Sequence, residues 1–399
     1  MIRRFNLYVL WEVTKLFVIA LVAFTTLIML AGVIQQLVNQ GLGARAIFEL
    51  IPYVLPISMQ YALPATVLFA VCSVYGRISA DNEILCVTAA GVPPTRIIAP
   101  TLIASFVLSL FAVWLNDIAF SWGRPGINRV VMHSIEQVVY GLLSTHGSYN
   151  SSRGFSIHVH GIGEDGRELI SPTITTIPAG SSQPISISAR TARLSMDPVK
   201  EVLRIELVDS EIDGDRFTGT YPGTTIHEVS LASATKKGTS SGHPSEFAMH
   251  AIVTEKRKQS EEIRQTQELL AARTAIGLGI GKYEWVDDSR THETLGKIYG
   301  GQGRLHRLNV EPWRRWASGF SCFFFVWVGI PLAIWMRSAD HWTSFGVCFM
   351  PILLIYFPLF AVGLDHAKDG SWPPLALWLG NAVLFAIGGY WLRRIYRGR

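Results

Sequence analysis

Long apolar runs alternate along this chain with one extended polar interval. Six runs contain no Asp, Glu, Lys or Arg: Leu16–Val38, Ile51–Gly76, Ile97–Asn116, Trp316–Met336, Trp342–Leu364 and Ser371–Leu392. Each reaches the ~20 residues a helix needs to cross about 30 Å of hydrocarbon. One such run fits a buried helix of a soluble protein; six predict a membrane protein. Arg3 and Arg4 ahead of the first run suggest a signal peptide. That run is too long for one, however, and no small-residue cleavage site follows it, so it is expected to remain as a span.

Within the polar interval, about Phe120 to Arg315, the period changes. From Ser144 to Ala234 apolar and polar positions alternate. Phe155, Ile157 and Val159 face one way, and Ser156, His158 and His160 the other. Leu203, Ile205 and Leu207 repeat the habit, and Asp213-Gly214 marks a turn. The expectation is an all-β, jelly-roll-like domain inserted between spans 3 and 4 of a six-helix membrane protein. One apolar face per strand serves equally as plain core or as cover for a lipid chain, and the alternation fits both. A charged helix over Glu255–Ile276 follows, with a solvated face, and then a glycine-rich stretch, Gly277–Leu308, read as a loop. The organisation is therefore 1–119, spans 1 to 3 with a short helix at about 79–92; 120–250, β domain; 251–312, helix-and-loop connector; and 313–399, spans 4 to 6.

Composition sharpens this picture. The chain is 49% hydrophobic and 16% charged, with a mean hydropathy of +0.29, too apolar for an ordinary soluble protein. Its arginines are unevenly placed. Arg3, Arg4, Arg77, Arg96, Arg337, Arg393, Arg394, Arg397 and Arg399 flank one side of the spans, and only Arg45 and Lys368 lie in the short loops of the other. The asymmetry predicts cytoplasmic termini and an external β domain. It also accounts for a pI near 9.0 without a nucleic-acid partner.

Candidate chemistry is sparse. All four cysteines lie outside the β domain, so no disulfide framework is expected there. His158 and His160 lack a third ligand and are read as solvent-facing. GLGIGKY (Gly277 to Tyr283) resembles a phosphate loop, but Ile276 stands where its first glycine belongs and Tyr283 where Ser or Thr should be. Asp117 ends span 3, and no ionisable residue lies deep in a run, which argues against an ion-coupled carrier. No catalytic residue, metal or cofactor is expected, and any energy source is another subunit.

The break between spans 2 and 3, RISADNEILCVTAAGVPPTRI (Arg77 to Ile97), reads as a three-turn helix. Ser79 caps it, Asp81 and Asn82 occupy its first turn, and Gly91 with Pro93-Pro94 ends it. Cys86 and Ala90 follow Glu83 at helical spacing, forming a stripe with Ala89 and Gly91. Such a helix either lies at the membrane interface or docks into a cytosolic partner.

With its flanks, LPATVLFAVCSVYGRISADNEILCVTAAGVPPTRI (Leu63 to Ile97) resembles the signature of the lipopolysaccharide-export permeases, the LptF/LptG family. MIRRFNLYVLWEVTKLF, RRWASGFSCFFFVWVGIPLAIWMR and SWPPLALWLGNAVLFAIGGYWL are similar to that family's first, fourth and last spans. The resemblance covers all six spans and the placement of the β domain. It implies a non-catalytic subunit of an ABC transporter in the bacterial inner membrane. Such a subunit pairs with a second LptF/LptG permease on a cytosolic LptB-like ATPase and passes lipid to a periplasmic jelly-roll bridge of LptC/LptA type. It further implies that Glu83 is the glutamate of the ATPase-coupling helix, with Asp81, Cys86, Ala90 and Gly91 around it. Spans 1 and 5 would form a lateral gate, with Leu27, Leu30, Val33 and Ile34 opposite Met350, Leu354 and Phe357. Phe155, Ile157 and Val159 would continue the lipid path into the β domain.

Two departures stand out. IQQLVNQ (Ile34 to Gln40) lacks the lysines some LptG members place there, which favours an LptF-like subunit or a homologue handling another lipid. The Glu255–Leu308 segment is also longer than the family pattern. A permease for other hydrophobic cargo, a mechanical signal transmitter, or a membrane-anchored scaffold or enzyme remain the competing readings.

Overall fold

In a computed structural model, the described residues are 2–40, 44–130, 148–150, 155–163, 168–176, 185–197, 202–214, 217–230, 243–286, 288–337 and 340–396. They fall into two compact units, one of residues 1–30, 53–124 and 242–399, the other of residues 31–52 and 125–241. Among the described residues six helices are long and apolar enough to cross a membrane.

Spans 1 and 2 lie in the helices Ile2–Gln40 and Ala44–Ala80. Span 3 is Pro94–Ile118, with Pro94 in the first helical turn, where its missing N–H costs nothing. Ala119–Gly123 continue it as a π turn. Span 4 is the last part of one helix, Ser289–Met336. Span 5 joins His341–Pro351 to Phe357–Lys368 through a second π turn, Ile352–Tyr356. Span 6 opens with the 3-10 turn Pro374–Trp378 and continues as Leu379–Tyr396.

The helical core is assembled from side chains of every span, among them Val9, Leu68, Tyr75, Ala112, Val326, Cys348 and Leu384. Small residues bring the backbones together, as helix association in lipid requires. A Cβ at Gly329 would lie 2.7 Å from Leu68 Cδ1, and one at Gly319 would lie 2.8 Å from the Val113 backbone nitrogen.

In the second unit, eight described strands form one antiparallel sheet: β1 (Ser148–Asn150), β2 (Phe155–His158), β3 (Gly161–Ile162), β4 (Leu169–Ile170), β5 (Thr173–Thr176), β6 (Ile185–Asp197), β7 (Val202–Gly214) and β8 (Phe217–Ser230). β6 pairs with β5 and β4 along one edge and with β7 along the other. A row runs across the sheet through Leu169, Ala192 and Leu207, all buried, which is the apolar face the alternation predicts. Asp209, at φ 53, interrupts the β7–β8 register as a bulge and accepts a hydrogen bond from the Gly223 N–H at 3.0 Å. The class expected from the sequence, six membrane helices with an all-β, jelly-roll-like domain inserted between spans 3 and 4, is met by six helices able to cross a membrane and one antiparallel sheet placed between the third and fourth of them.

Two local expectations are corrected. Gly277–Leu308 is not a loop: a 3-10 turn at Tyr283–Trp285 leads into a helix that starts at Ser289 and runs unbroken for 48 residues to Met336. Gly296, Gly300, Gly301 and Gly303 weaken the local helical signal after Ser289, but packing against the connector helix, Met249–Gly279, overrides it. At Gly301 an added Cβ would lie 3.0 Å from Ile263 Cγ1, so that glycine lets the two helices approach closely. The connector is therefore a helical hairpin. The helix expected at about 79–92 is also shorter, spanning only Glu83–Ala89.

Candidate functional site

Helix 2 continues through Ser79 to Ala80, and the short helix is only Glu83–Ala89. Asn82, at φ 59, breaks the path between them; asparagine tolerates this left-handed conformation better than most residues. Ser79 therefore caps nothing. Its hydroxyl donates to the Ile334 carbonyl at 2.8 Å, which fastens the end of span 2 to span 4. Asp81 lies in the turn, ahead of the helix.

Four spans converge beneath this short helix. Arg77 donates to Glu12 of span 1 at 3.1 Å, and the Asn6 side chain donates to the Arg96 carbonyl at 3.1 Å. The Tyr75 hydroxyl pairs with Thr101 of span 3 at 2.8 Å. Ile84 inserts into the common core, and burying it contributes about 2 kcal/mol. The half-exposed Arg77–Glu12 pair contributes less, about 0.5 kcal/mol.

What remains in view is the opposite face. Asp81, Leu85, Cys86, Ala89, Ala90 and Gly91 are exposed, and Glu83 is half-buried at the helix start. Neither Asp81 nor Glu83 has a side-chain partner among the described residues, and Cys86 is a free thiol. Gly91 adopts φ 87, a conformation that favours glycine. The sequence reading missed Leu85, the largest apolar side chain on this face at 53% exposed. It sits between the quoted polar and small residues, and only the register fixed by Ile84 shows where it points.

Of the residues expected to line a gate, Leu27, Leu30 and Ile34 on span 1 and Met350, Leu354 and Phe357 on span 5 are exposed, whereas Val33 is buried. Phe69 of span 2 stands between the spans. Its ring centroid is 6.4 Å from Phe24 of span 1 and 5.6 Å from Phe345 of span 5. Sequence patterning had no way to select Phe69 from twenty phenylalanines.

In the sheet, Val159 is buried while His158 and His160 are exposed with ring centroids 6.3 Å apart. The side chains of Phe155 and Ile157 lie outside the described residues; their backbones pair with Thr176 and Ile174. Among the described residues no His, Cys, Asp and Glu cluster has metal-site geometry.

A second polar centre, absent from the sequence reading, lies where the chain returns from residues 125–241 to the helical unit. Arg315 is completely buried and pairs with Asp117 of span 3. Nearby, His243 and Glu246 form a reciprocal capping box around the turn Pro244–Glu246. In the neutral ring the His243 Nδ1 accepts from the Ser245 N–H at 3.4 Å, and the same nitrogen pairs with the Ser245 hydroxyl at 2.6 Å. Burial of the ring lowers the His243 pKa below 6.5, helped by Arg307 and Arg124 and opposed by Glu246 and Glu311. The folded pKa being the lower one, the unfolded chain binds the extra proton. The contribution is complete above 6.5 and lost as pH falls through the folded value. Melting curves of wild type and His243→Gln are expected to differ most at neutral pH and to converge as the pH is lowered well below 6.5. A constant difference across that range would assign the cap no role.

The family described as Lipopolysaccharide export system permease LptF/LptG has a model that matches residues 7–394. No curated protein matches the chain.

Proposed function

This chain belongs to the LptF/LptG family of lipopolysaccharide-export permeases, and from that premise we propose that it extracts lipopolysaccharide from the bacterial inner membrane as half of a permease pair. The observation that carries the reading is the extent of the match, from residue 7 to residue 394, which leaves no part of the span, sheet and span order outside it.

In this reading the termini and the Glu83–Ala89 helix are cytoplasmic, as the arginine asymmetry favours. A cytosolic ATPase of LptB type receives that helix. Leu85 and the small residues Ala89, Ala90 and Gly91 fill its groove, and Glu83, with Asp81 beside it, meets a basic residue. ATP hydrolysis belongs to that subunit, and this chain supplies no catalytic group. The second permease is a family partner, and the matched family description spans both LptF and LptG. The LptF-like character suggested by Ile34–Gln40 is accordingly part of the proposal.

The apolar route follows from energetics. Each CH₂ exposed to water costs about 0.8 kcal/mol, so a lipid with several acyl chains requires continuous cover. Leu27, Leu30 and Ile34 with Met350, Leu354 and Phe357 provide it at the spans. The face of the β domain that carries Val159 continues it towards a periplasmic jelly-roll bridge. The test is photocrosslinking in vesicles that hold the assembled transporter, lipopolysaccharide and ATP. A benzophenone side chain at Leu27, Leu354 or Val159 is expected to give lipopolysaccharide adducts that rise with ATP. Protein-only adducts at all three sites would remove this route.

A further inference from the structure

The charge centre at the return of the chain unites three segments that a loose connection would leave independent. Arg315, from the start of span 4, directs one guanidinium nitrogen, Nη1, at Asp117 of span 3. Its other terminal nitrogen, Nη2, donates to the Ser245 carbonyl at 3.0 Å and to the Phe247 carbonyl at 2.6 Å. Those carbonyls belong to the strand of chain entering the connector. The oxygen of Asp117 that accepts from Arg315 also accepts from the Met249 N–H, at 2.9 Å. Met249 is the first residue of the connector helix, whose own N-cap, Ala248, has only a methyl group and no capping hydrogen bond. Asp117 thus serves as that helix's cap from another span, with its negative charge at the positive end of the dipole.

Neighbouring contacts fix the frame around this pair. The Asn116 side chain donates to the Arg315 carbonyl at 3.2 Å and to the Ser318 hydroxyl at 2.9 Å, fastening span 3 to span 4. The Phe120 ring lies under Arg314 at 4.2 Å and under Arg315 at 5.6 Å. Arg314 is held in turn by the buried Glu311 at 2.6 Å. Phe120 sits in the π turn, where a Cβ on Gly123 would lie 2.9 Å from the Tyr53 carbonyl oxygen of span 2.

We propose that Asp117 and Arg315 form a rigid joint that locks the first arm of the connector hairpin, Met249–Gly279, to span 3 and to the helix that continues as span 4, so that movement of those spans is passed to the hairpin instead of being absorbed at a hinge. The planar fork of arginine makes this possible, because one side chain satisfies three acceptors in fixed directions. A buried network of this kind holds one geometry, since any rotation leaves carbonyls and a carboxylate unpaired. Both residues are positioning residues: they touch no cargo and act through the hairpin. The inference deepens the transport reading and rests on it only for the consequence, not for the joint itself.

The test uses Arg315→Lys, whose single ammonium cannot reach all three acceptors, and Asp117→Asn, which keeps shape and loses charge. Spin labels at Gln265 on the connector helix and Val107 on span 3 report the distance between the two helices in the assembled transporter. Both variants are expected to broaden the distance distribution, Arg315→Lys the more. Lipopolysaccharide release should fall about tenfold in Arg315→Lys while ATP hydrolysis stays near wild type, the signature of lost coupling. A distribution as narrow as wild type would overturn the joint, and so would hydrolysis falling in step with release. Wild-type protein that releases no lipopolysaccharide would instead refute the transport reading, leaving the distance measurement to decide the joint alone.

Discussion

Gly319→Ala is expected to destabilise the helical unit by about 3 kcal/mol, whereas Gly300→Ala, on the same helix, should stabilise it by about 0.5 kcal/mol. The opposite signs follow from what each new methyl group meets. At Gly319 it would lie 2.8 Å from the backbone nitrogen and 2.9 Å from the Cα of Val113, with the Val113 side chain closer still. Backbone cannot rotate aside, so spans 3 and 4 would have to separate, and with them the packing of Ala112, Leu115 and Cys322. At Gly300 nothing lies within 4 Å, so only the intrinsic helical preference for alanine acts. The buried thiols Cys72, Cys322 and Cys348 supply the readout. A thiol-reactive dye should label them at a lower temperature in Gly319→Ala and a slightly higher one in Gly300→Ala. Equal shifts in both would mean that the contact between spans 3 and 4 is looser than its geometry.

Glu83→Arg should reduce recovery of the cytosolic ATPase about thirtyfold while leaving membrane insertion intact. An exposed pair with a basic groove residue contributes about 1 kcal/mol, and reversal replaces it with a repulsion of similar size. The two together make about 2 kcal/mol, or roughly a factor of 30 in affinity. An arginine at the first helical position also opposes the dipole of Glu83–Ala89, which adds to the loss. Glu83→Gln should show an intermediate loss, because it removes the attraction without adding the repulsion. Copurification from detergent-solubilised membranes measures all three proteins side by side. Undiminished recovery of the ATPase with Glu83→Arg would take Glu83 out of the docking surface.

The spans and the strands could be read from the sequence because each obeys a short repeat and makes its contacts locally. Uncharged runs of twenty or more residues have few alternatives, and the alternation through Leu203, Ile205 and Leu207 leaves a strand little choice of face. Ser79, Asn82 and Gly277–Leu308 were harder to read because their roles depend on distant partners. Ser79 bonds Ile334, 255 residues away, where local chemistry offered a cap. The glycines before span 4 look like loop punctuation until the Ile263 side chain is seen packed against one of them. Asp117 and Arg315 are 198 positions apart, each at the edge of an apolar run where a charge is unremarkable. Only tertiary structure joins the buried arginine to the half-buried aspartate. Leu85 illustrates the intermediate case: its residue type was plain, but its direction required the anchor at Ile84.

The unbroken helix from Ser289 to Met336 has a consequence that concerns leverage. At 1.5 Å per residue it is about 70 Å long, more than twice the ~30 Å hydrocarbon thickness it crosses. Roughly 40 Å of rod therefore stands beyond Trp316, and a tilt of only 5° in the membrane would sweep its far end sideways by about 3.5 Å. A displacement that small costs a bilayer little, yet at the tip it matches the width of a hydrogen bond. Carried past Pro312 by its packing against the connector helix, the long arm would enlarge any tilt of the embedded one.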